Sequence, residues 1–153
     1  MNITESSTDN KFVIFKLANQ YYGIDIYNVQ VIEKVTNYTR VPNAEYYVKG
    51  VINLRGDVVP VIDLGERFGI ISSENNNESR IIIIKVKDIL IGLVVDSSSE
   101  VLTLDEEDID DTPSLGEQAT EEFIKGIGKK DGRLIMLLDL EKVIGVNETI
   151  EEI

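Results

Sequence analysis

The sequence predicts a mainly β fold, two similar five-stranded β-barrels packed side by side with few short helices. Three observations carry this. Short apolar runs rich in β-branched residues recur along the chain, such as Phe12 to Leu17 and Ile81 to Val86. Turn signals separate them, and helical periodicity is scarce. The order of the runs repeats once within the 153 residues.

The repeat is clearest between Val48 to Gly69, VKGVINLRGDVVPVIDLGERFG, and Ile124 to Gly145, IKGIGKKDGRLIMLLDLEKVIG. At an offset of 76, six of twenty-two positions are identical: Lys49/Lys125, Gly50/Gly126, Gly56/Gly132, Asp63/Asp139, Leu64/Leu140 and Gly69/Gly145. Upstream, FVIFKLANQYYGIDI from Phe12 lies over IIIIKVKDILIGLVV from Ile81 at an offset of 69, which places Lys16 on Lys85 and Gly23 on Gly92. The second copy carries seven more residues between its matching blocks, in the acidic stretch around Asp105 to Thr120.

Val58 to Leu64 and Leu134 to Leu140 are near-continuous apolar runs, the pattern of a strand between two packed layers. Arg55-Gly56-Asp57 and Lys130-Asp131-Gly132 supply the positive-φ positions of tight hairpins. Pro60 cannot donate to a ladder, so its strand is expected at an edge or bulged there. Short helical turns are expected at Asn43 to Val48, Glu66 to Phe68, Thr120 to Ile124 and Leu140 to Ile144. Five short antiparallel strands lose their exposed edges by closing into a barrel. A unit of about 65 residues holds little core alone, so the two should share an apolar interface. The boundaries expected are a flexible N-terminus over 1–11, a first barrel over 12–71, a linker over 72–79 containing Asn75-Asn76-Asn77, a second barrel over 80–146 and an acidic tail over 147–153.

Composition narrows the function. The chain has neither cysteine nor histidine, which removes thiolate chemistry, the usual general base and the common zinc ligands. A net charge of −13 disfavours nucleic acid and anionic membrane surfaces. No run is long enough to span a bilayer, and the polar start Met1 to Asn10 lacks a signal-peptide pattern, so a soluble cytoplasmic protein is expected. Gly126-Ile127-Gly128-Lys129 lacks Walker spacing, and the acidic run Asp105 to Asp111 lacks the glycine and terminal glutamate of a calcium loop. Asp63 and Asp139 read as helix caps at strand-to-helix junctions and not as an acid–base pair. No cofactor, metal or catalytic residue is expected.

The segment KGVINLRGDVVPVIDL, Lys49 to Leu64, resembles the most recognisable stretch of the CheW family. YYGIDIYNVQ, IGLVVDSSSEVL and FIKGIGKKDGRLIMLLDLEKVI fit the same family in the same order, and the similarity covers about residues 12 to 146. The resemblance implies a non-catalytic scaffold with two side-by-side barrels. It implies binding to the regulatory domain of the histidine kinase CheA and to the cytoplasmic tip of methyl-accepting chemotaxis receptors, at receptor clusters on the inner face of the membrane. Two other readings stand beside it: a CheW-like adaptor of a non-chemotaxis receptor-kinase pathway, and a small ligand-binding β-barrel, which would need a deep apolar pocket.

The same resemblance names candidate partner-binding residues. Arg55 stands at the family's coupling arginine, and its guanidinium offers five fixed donors to a partner. Asn53 can brace that turn. Ile26 and Val29 match receptor-facing positions, with simple core packing as the competing role. Val31 stands where relatives often carry glutamate, and Glu33, though near, is not the matching position. Leu115 falls in the loop used for kinase or ring contacts, close to Asp110, where relatives can carry arginine.

Overall fold

A computed structural model describes residues 10–70, 75–111 and 122–145. The strands are β1 (Lys11–Leu17), β2 (Gln20–Asp25), β3 (Val29–Lys34), β4 (Val48–Leu54), β5 (Asp57–Asp63), β6 (Arg80–Val86), β7 (Ile89–Val95), β8 (Ser97–Thr103), β9 (Ile109–Asp111), β10 (Ile124–Lys130) and β11 (Arg133–Leu138). They form a six-stranded sheet, β8-β1-β2-β11-β10-β9, and a five-stranded sheet, β3-β6-β7-β5-β4.

The sheets do not coincide with the two halves of the chain. Hairpin β1–β2 joins the sheet of the second half, and hairpin β6–β7 joins that of the first. The expected division into a barrel over 12–71 and another over 80–146 is therefore corrected to two sheets that exchange their first hairpins. The reason is physical: both copies present the same edge in the same register, so a sequence offset cannot tell which copy supplies a neighbour. Each hairpin docks by parallel pairing, Gly23 opposite Leu137 and Gly92 opposite Val61, positions related by the two offsets. Even the irregularities repeat. The bulge that skips Gln30 in β3 recurs at Ser99 in β8, and the one at Lys49 in β4 recurs at Lys125 in β10.

Burial explains the continuous apolar runs. Val13, Phe15 and Leu17 of β1 and Ile82, Ile84 and Val86 of β6 face a shared core between the sheets, with Ile62, Leu93, Phe123 and Leu138. The alternate residues face each sheet's own core, as strand periodicity requires. Phe12 and Ile14 pack with Leu104, Ile135 and Leu137, and Ile81 and Ile83 pack with Val59, Val61 and Val94. These interiors are filled: a Cβ on Gly92 would lie 2.9 Å from Ile81 Cγ2, and one on Gly23 would lie 3.1 Å from Ile14 Cδ1. The edge strands of the five-stranded sheet are linked by the segment after β3, where Thr39 and Val51 exchange backbone bonds of 2.9 and 2.8 Å. In the larger sheet, β9 pairs with β10 at the equivalent position, Asp110 opposite Ile127.

The hairpins turn on two residues of positive φ, Arg55-Gly56 at 52° and 90° and Asp131-Gly132 at 54° and 76°, which suits the strand twist. Pro60 departs from expectation. It lies in β5, between β7 and β4, and the bulge is on the partner strand. Its partner Val51 directs both backbone groups to Thr39, and pairing with β7 starts only at Val61, so the ladder loses no donor. Helical turns form at Leu64–Arg67 and Leu140–Ile144; Asn43 to Tyr47 is not helical and leads into β4, which starts at Val48. Asp63 and Asp139 cap those helices, accepting from the backbone N–H of Glu66 at 3.0 Å and Lys142 at 3.3 Å. Arg67 ties the units together. Its guanidinium lies 4.9 Å from the Tyr47 ring centre and 4.8 Å from that of Phe123, a repeat-equivalent pair, and its Nε donates to the Val143 carbonyl at 2.8 Å.

Two predictions follow from the packing. A Cβ on Gly50 (φ +154°) would lie 2.3 Å from the Thr39 carbonyl oxygen, whereas one on Gly126 meets its nearest atom at 3.2 Å. Gly50→Ala should destabilise by on the order of 2–3 kcal/mol in urea unfolding, clearly more than Gly126→Ala. Burial raises the Asp63 carboxyl pKa against the opposing pull of its cap bond to Glu66. Its contribution to stability is complete below the unfolded-state pKa and is lost as pH rises through the folded one. Asp63→Asn keeps the cap and should flatten the dependence of unfolding free energy on pH above about pH 4; an unchanged slope would show that this carboxyl is not the source.

Candidate functional site

The β4–β5 turn is built to present Arg55. The backbone N–H of Gly56 donates to Asn53 Oδ1 at 3.0 Å, which braces the turn from inside. Arg55 and Asp57 are exposed, and no hydrogen bond or ion pair holds the Arg55 side chain among the described residues. A rigid backbone thus carries an uncommitted guanidinium, which lowers the ordering cost of a bidentate contact.

The second group lies on the 3-10 turn Ile26–Asn28 and the start of β3. Asn28 Nδ2 donates to the Lys85 carbonyl at 3.1 Å and fixes the turn against β6. Ile26 and Val29 are half-buried against the shared core, at the seam between the sheets, while Tyr27 between them is 66% exposed. Val31 is half-buried against the five-stranded sheet's own core, opposite Ile83. The registers Asn53–Val58, Val61–Gly92 and Val29–Ile84 put the Arg55 turn and the Ile26 turn at the same end of this sheet. They sit on its two edge strands, with three strands between them, so they form two parts of one end and not a single cluster.

Leu115 lies outside the described residues. Asp110, the charge-reversed neighbour, pairs with Lys129 at 2.9 Å across β9 and β10, so its charge is answered within the chain.

Sequence reasoning missed a set of exposed apolar side chains. Ile32 (39% exposed) and Val101 (50%) are related by the offset of 69, and Val58 (69%) and Leu134 (60%) by the offset of 76. The signal was available, because both pairs are apolar in both copies, but Val58 and Leu134 begin runs whose near-continuous apolar pattern reads as buried. The structure exposes them where each sheet extends past the cover of the other. Such paired apolar positions fit protein contact better than chance exposure of single residues.

The chemistry is that of recognition. Among the described residues the interiors are filled and hold no deep apolar pocket for a small ligand, and three surface clefts are lined mainly by polar side chains. No cluster of three potential metal ligands occurs among the described residues. No helix among the described residues is long and apolar enough to cross a membrane.

Known proteins match this architecture. The family model of the CheW-like domain matches residues 11–148. The chain is 39% identical to the chemotaxis protein CheW of Bacillus subtilis, over 92% of this chain and 90% of that one. It is 35% identical to the chemotaxis protein CheW of Thermotoga maritima, over 85% and 84%. The crystal structure of the scaffolding protein TtCheW from Thermoanaerobacter tengcongensis superposes with a TM-score of 0.83 at 38% identity, covering 90% of this chain and 94% of that one. The chain belongs to the CheW-like family, a family of non-catalytic chemotaxis scaffold proteins.

Proposed function

We propose that the chain is the adaptor that couples methyl-accepting chemotaxis receptors to the histidine kinase CheA, working at receptor clusters on the inner face of the membrane. The observation that supports this most is the braced, exposed Asn53–Arg55 turn on a scaffold that contains neither histidine nor cysteine. Arg55 forks onto a carboxylate or carbonyl of the partner, and Asn53 holds the turn that aims it. Ile26 and Val29 form the apolar floor at the sheet seam, suited to a helical receptor tip, which docks through an apolar stripe. Val31 sits further along the same strand, where an apolar side chain gives packing in place of the polar pairing that relatives obtain from glutamate. Leu115 serves the kinase or ring contact, and Val58 extends the Arg55 end with exposed apolar surface.

Titration calorimetry with the purified CheA regulatory domain tests the reading, and saturable binding is expected; none up to high micromolar protein would contradict it. Arg55→Ala should weaken the ternary complex with receptor tip by about tenfold or more, while shifting unfolding free energy by less than about 0.5 kcal/mol. A large loss of stability would assign Arg55 to the fold. Val58→Asp should also leave stability unchanged and weaken kinase or receptor binding; wild-type affinity for both would remove this surface from the interface.

A further inference from the structure

The repeat allows the two sheets to be compared position by position, and they differ sharply at one end. In the six-stranded sheet, four adjacent strands place Glu100 of β8, Lys16 of β1, Tyr21 of β2 and Arg133 of β11 around a cleft of about 490 Å³, completed by Ser97, Ser98, Glu78 and Arg80. The equivalent positions in the five-stranded sheet are Val31, Lys85, Leu90 and Asp57. There Val31 and Leu90 pack onto the core and fill that end. The fold thus closes this end with apolar side chains in one sheet and leaves a polar cleft in the other.

The cleft brings three cations, Lys16, Arg80 and Arg133, together with two carboxylates, Glu78 and Glu100, a small positive excess in a chain whose balance is −13. Arg133 is already committed: it pairs with Glu100, and its guanidinium lies 4.9 Å from the Tyr21 ring centre. That makes it a fixed wall. Lys16 and Arg80 have no carboxylate partner among the described residues. The Lys16 ammonium lies 5.1 Å from the Tyr21 ring centre, and Arg80 donates from one terminal nitrogen to the carbonyls of Asn77 and Ser79, at 2.7 and 2.8 Å. Two half-buried cations in no ion pair among the described residues, beside two serine hydroxyls, form a donor-rich site of small-molecule size, with the Glu78 carboxylate at its edge.

We propose that this cleft binds a small oxyanion, a phosphate or a carboxylate group, held by the Lys16 ammonium and the free guanidinium donors of Arg80. The Ser97 and Ser98 hydroxyls complete the cradle, and the Arg133–Glu100 pair fixes its wall. The site is separate from the Asn53–Arg55 turn and from the Ile26 seam, so its occupancy is independent of the adaptor reading.

The test is an NMR titration of the isotope-labelled chain with inorganic phosphate and, separately, with citrate, at constant ionic strength in chloride. Saturable shifts at the amides of Lys16, Ser97 and Ser98 in either arm are expected, and the tighter arm identifies the tetrahedral or the planar group. Lys16→Gln and Arg80→Gln should each weaken binding by about tenfold, whereas Lys129→Gln, on the surface pair with Asp110, should leave it unchanged. Shifts that fail to saturate by about 50 mM in both arms, a range in which even weak specific sites fill, would overturn the proposal. So would equal losses in all three variants.

Discussion

The exchange of first hairpins is the constraint on which the rest of the structure depends. Because β2 pairs in parallel with β11 and β7 with β5, neither sheet can form from one half of the chain. The shared core then follows. Strands β1 and β6 sit inside their sheets and bury both faces, one toward their own sheet's interior and one toward the other sheet. Two small units that would each bury too little apolar surface alone become one cooperative body. Arg67, between Tyr47 and Phe123 and bonded to Val143, locks the same junction with a geometry that lysine could not reproduce.

This interlock matters for scaffolding. A protein without catalytic groups acts by holding surfaces at fixed separations. The Arg55 turn and the Ile26 turn sit on opposite edge strands of one sheet, and the intervening strands are rigidly paired through the exchanged hairpin β6–β7. The end of the five-stranded sheet that carries both turns is therefore set in part by residues from the second half of the chain. Pseudo-symmetric exposed positions, Ile32 with Val101 and Val58 with Leu134, give each sheet a similar rim.

Much of this was legible in the sequence, and for stated reasons. The repeat itself, at offsets of 76 and 69, was legible because glycine, lysine and apolar residues recur in the same order; that the paired positions also share registers and bulges is a finding of the structure. Asp63 and Asp139 were readable as caps because a carboxylate before a short apolar helix has few other roles. Asn53 was readable as a brace of the Arg55 turn because asparagine side chains bond nearby turn backbone, and the structure identifies the donor as the Gly56 N–H. What was not legible was connectivity between equal partners. Equivalent registers make the exchanged and unexchanged sheets indistinguishable in sequence, so the first hairpin of each half was assigned to the wrong sheet. Pro60 misled for a related reason: its tolerance depends on Thr39, a residue far outside its own strand, occupying Val51's backbone groups. The exposed Val58 was hidden inside an apolar run, because its neighbour Val59 faces the opposite side of the strand and is buried in that sheet's own core.

The hairpin exchange can be tested without altering the protein. Backbone nuclear Overhauser contacts should connect Gly23 to Met136 and Leu137 of β11, and Gly92 to Val61 and Ile62 of β5, as the parallel registers require. Contacts from Gly23 to Val61, with Gly92 facing Leu137, would mean that each half forms its own sheet, and would contradict the account at its root.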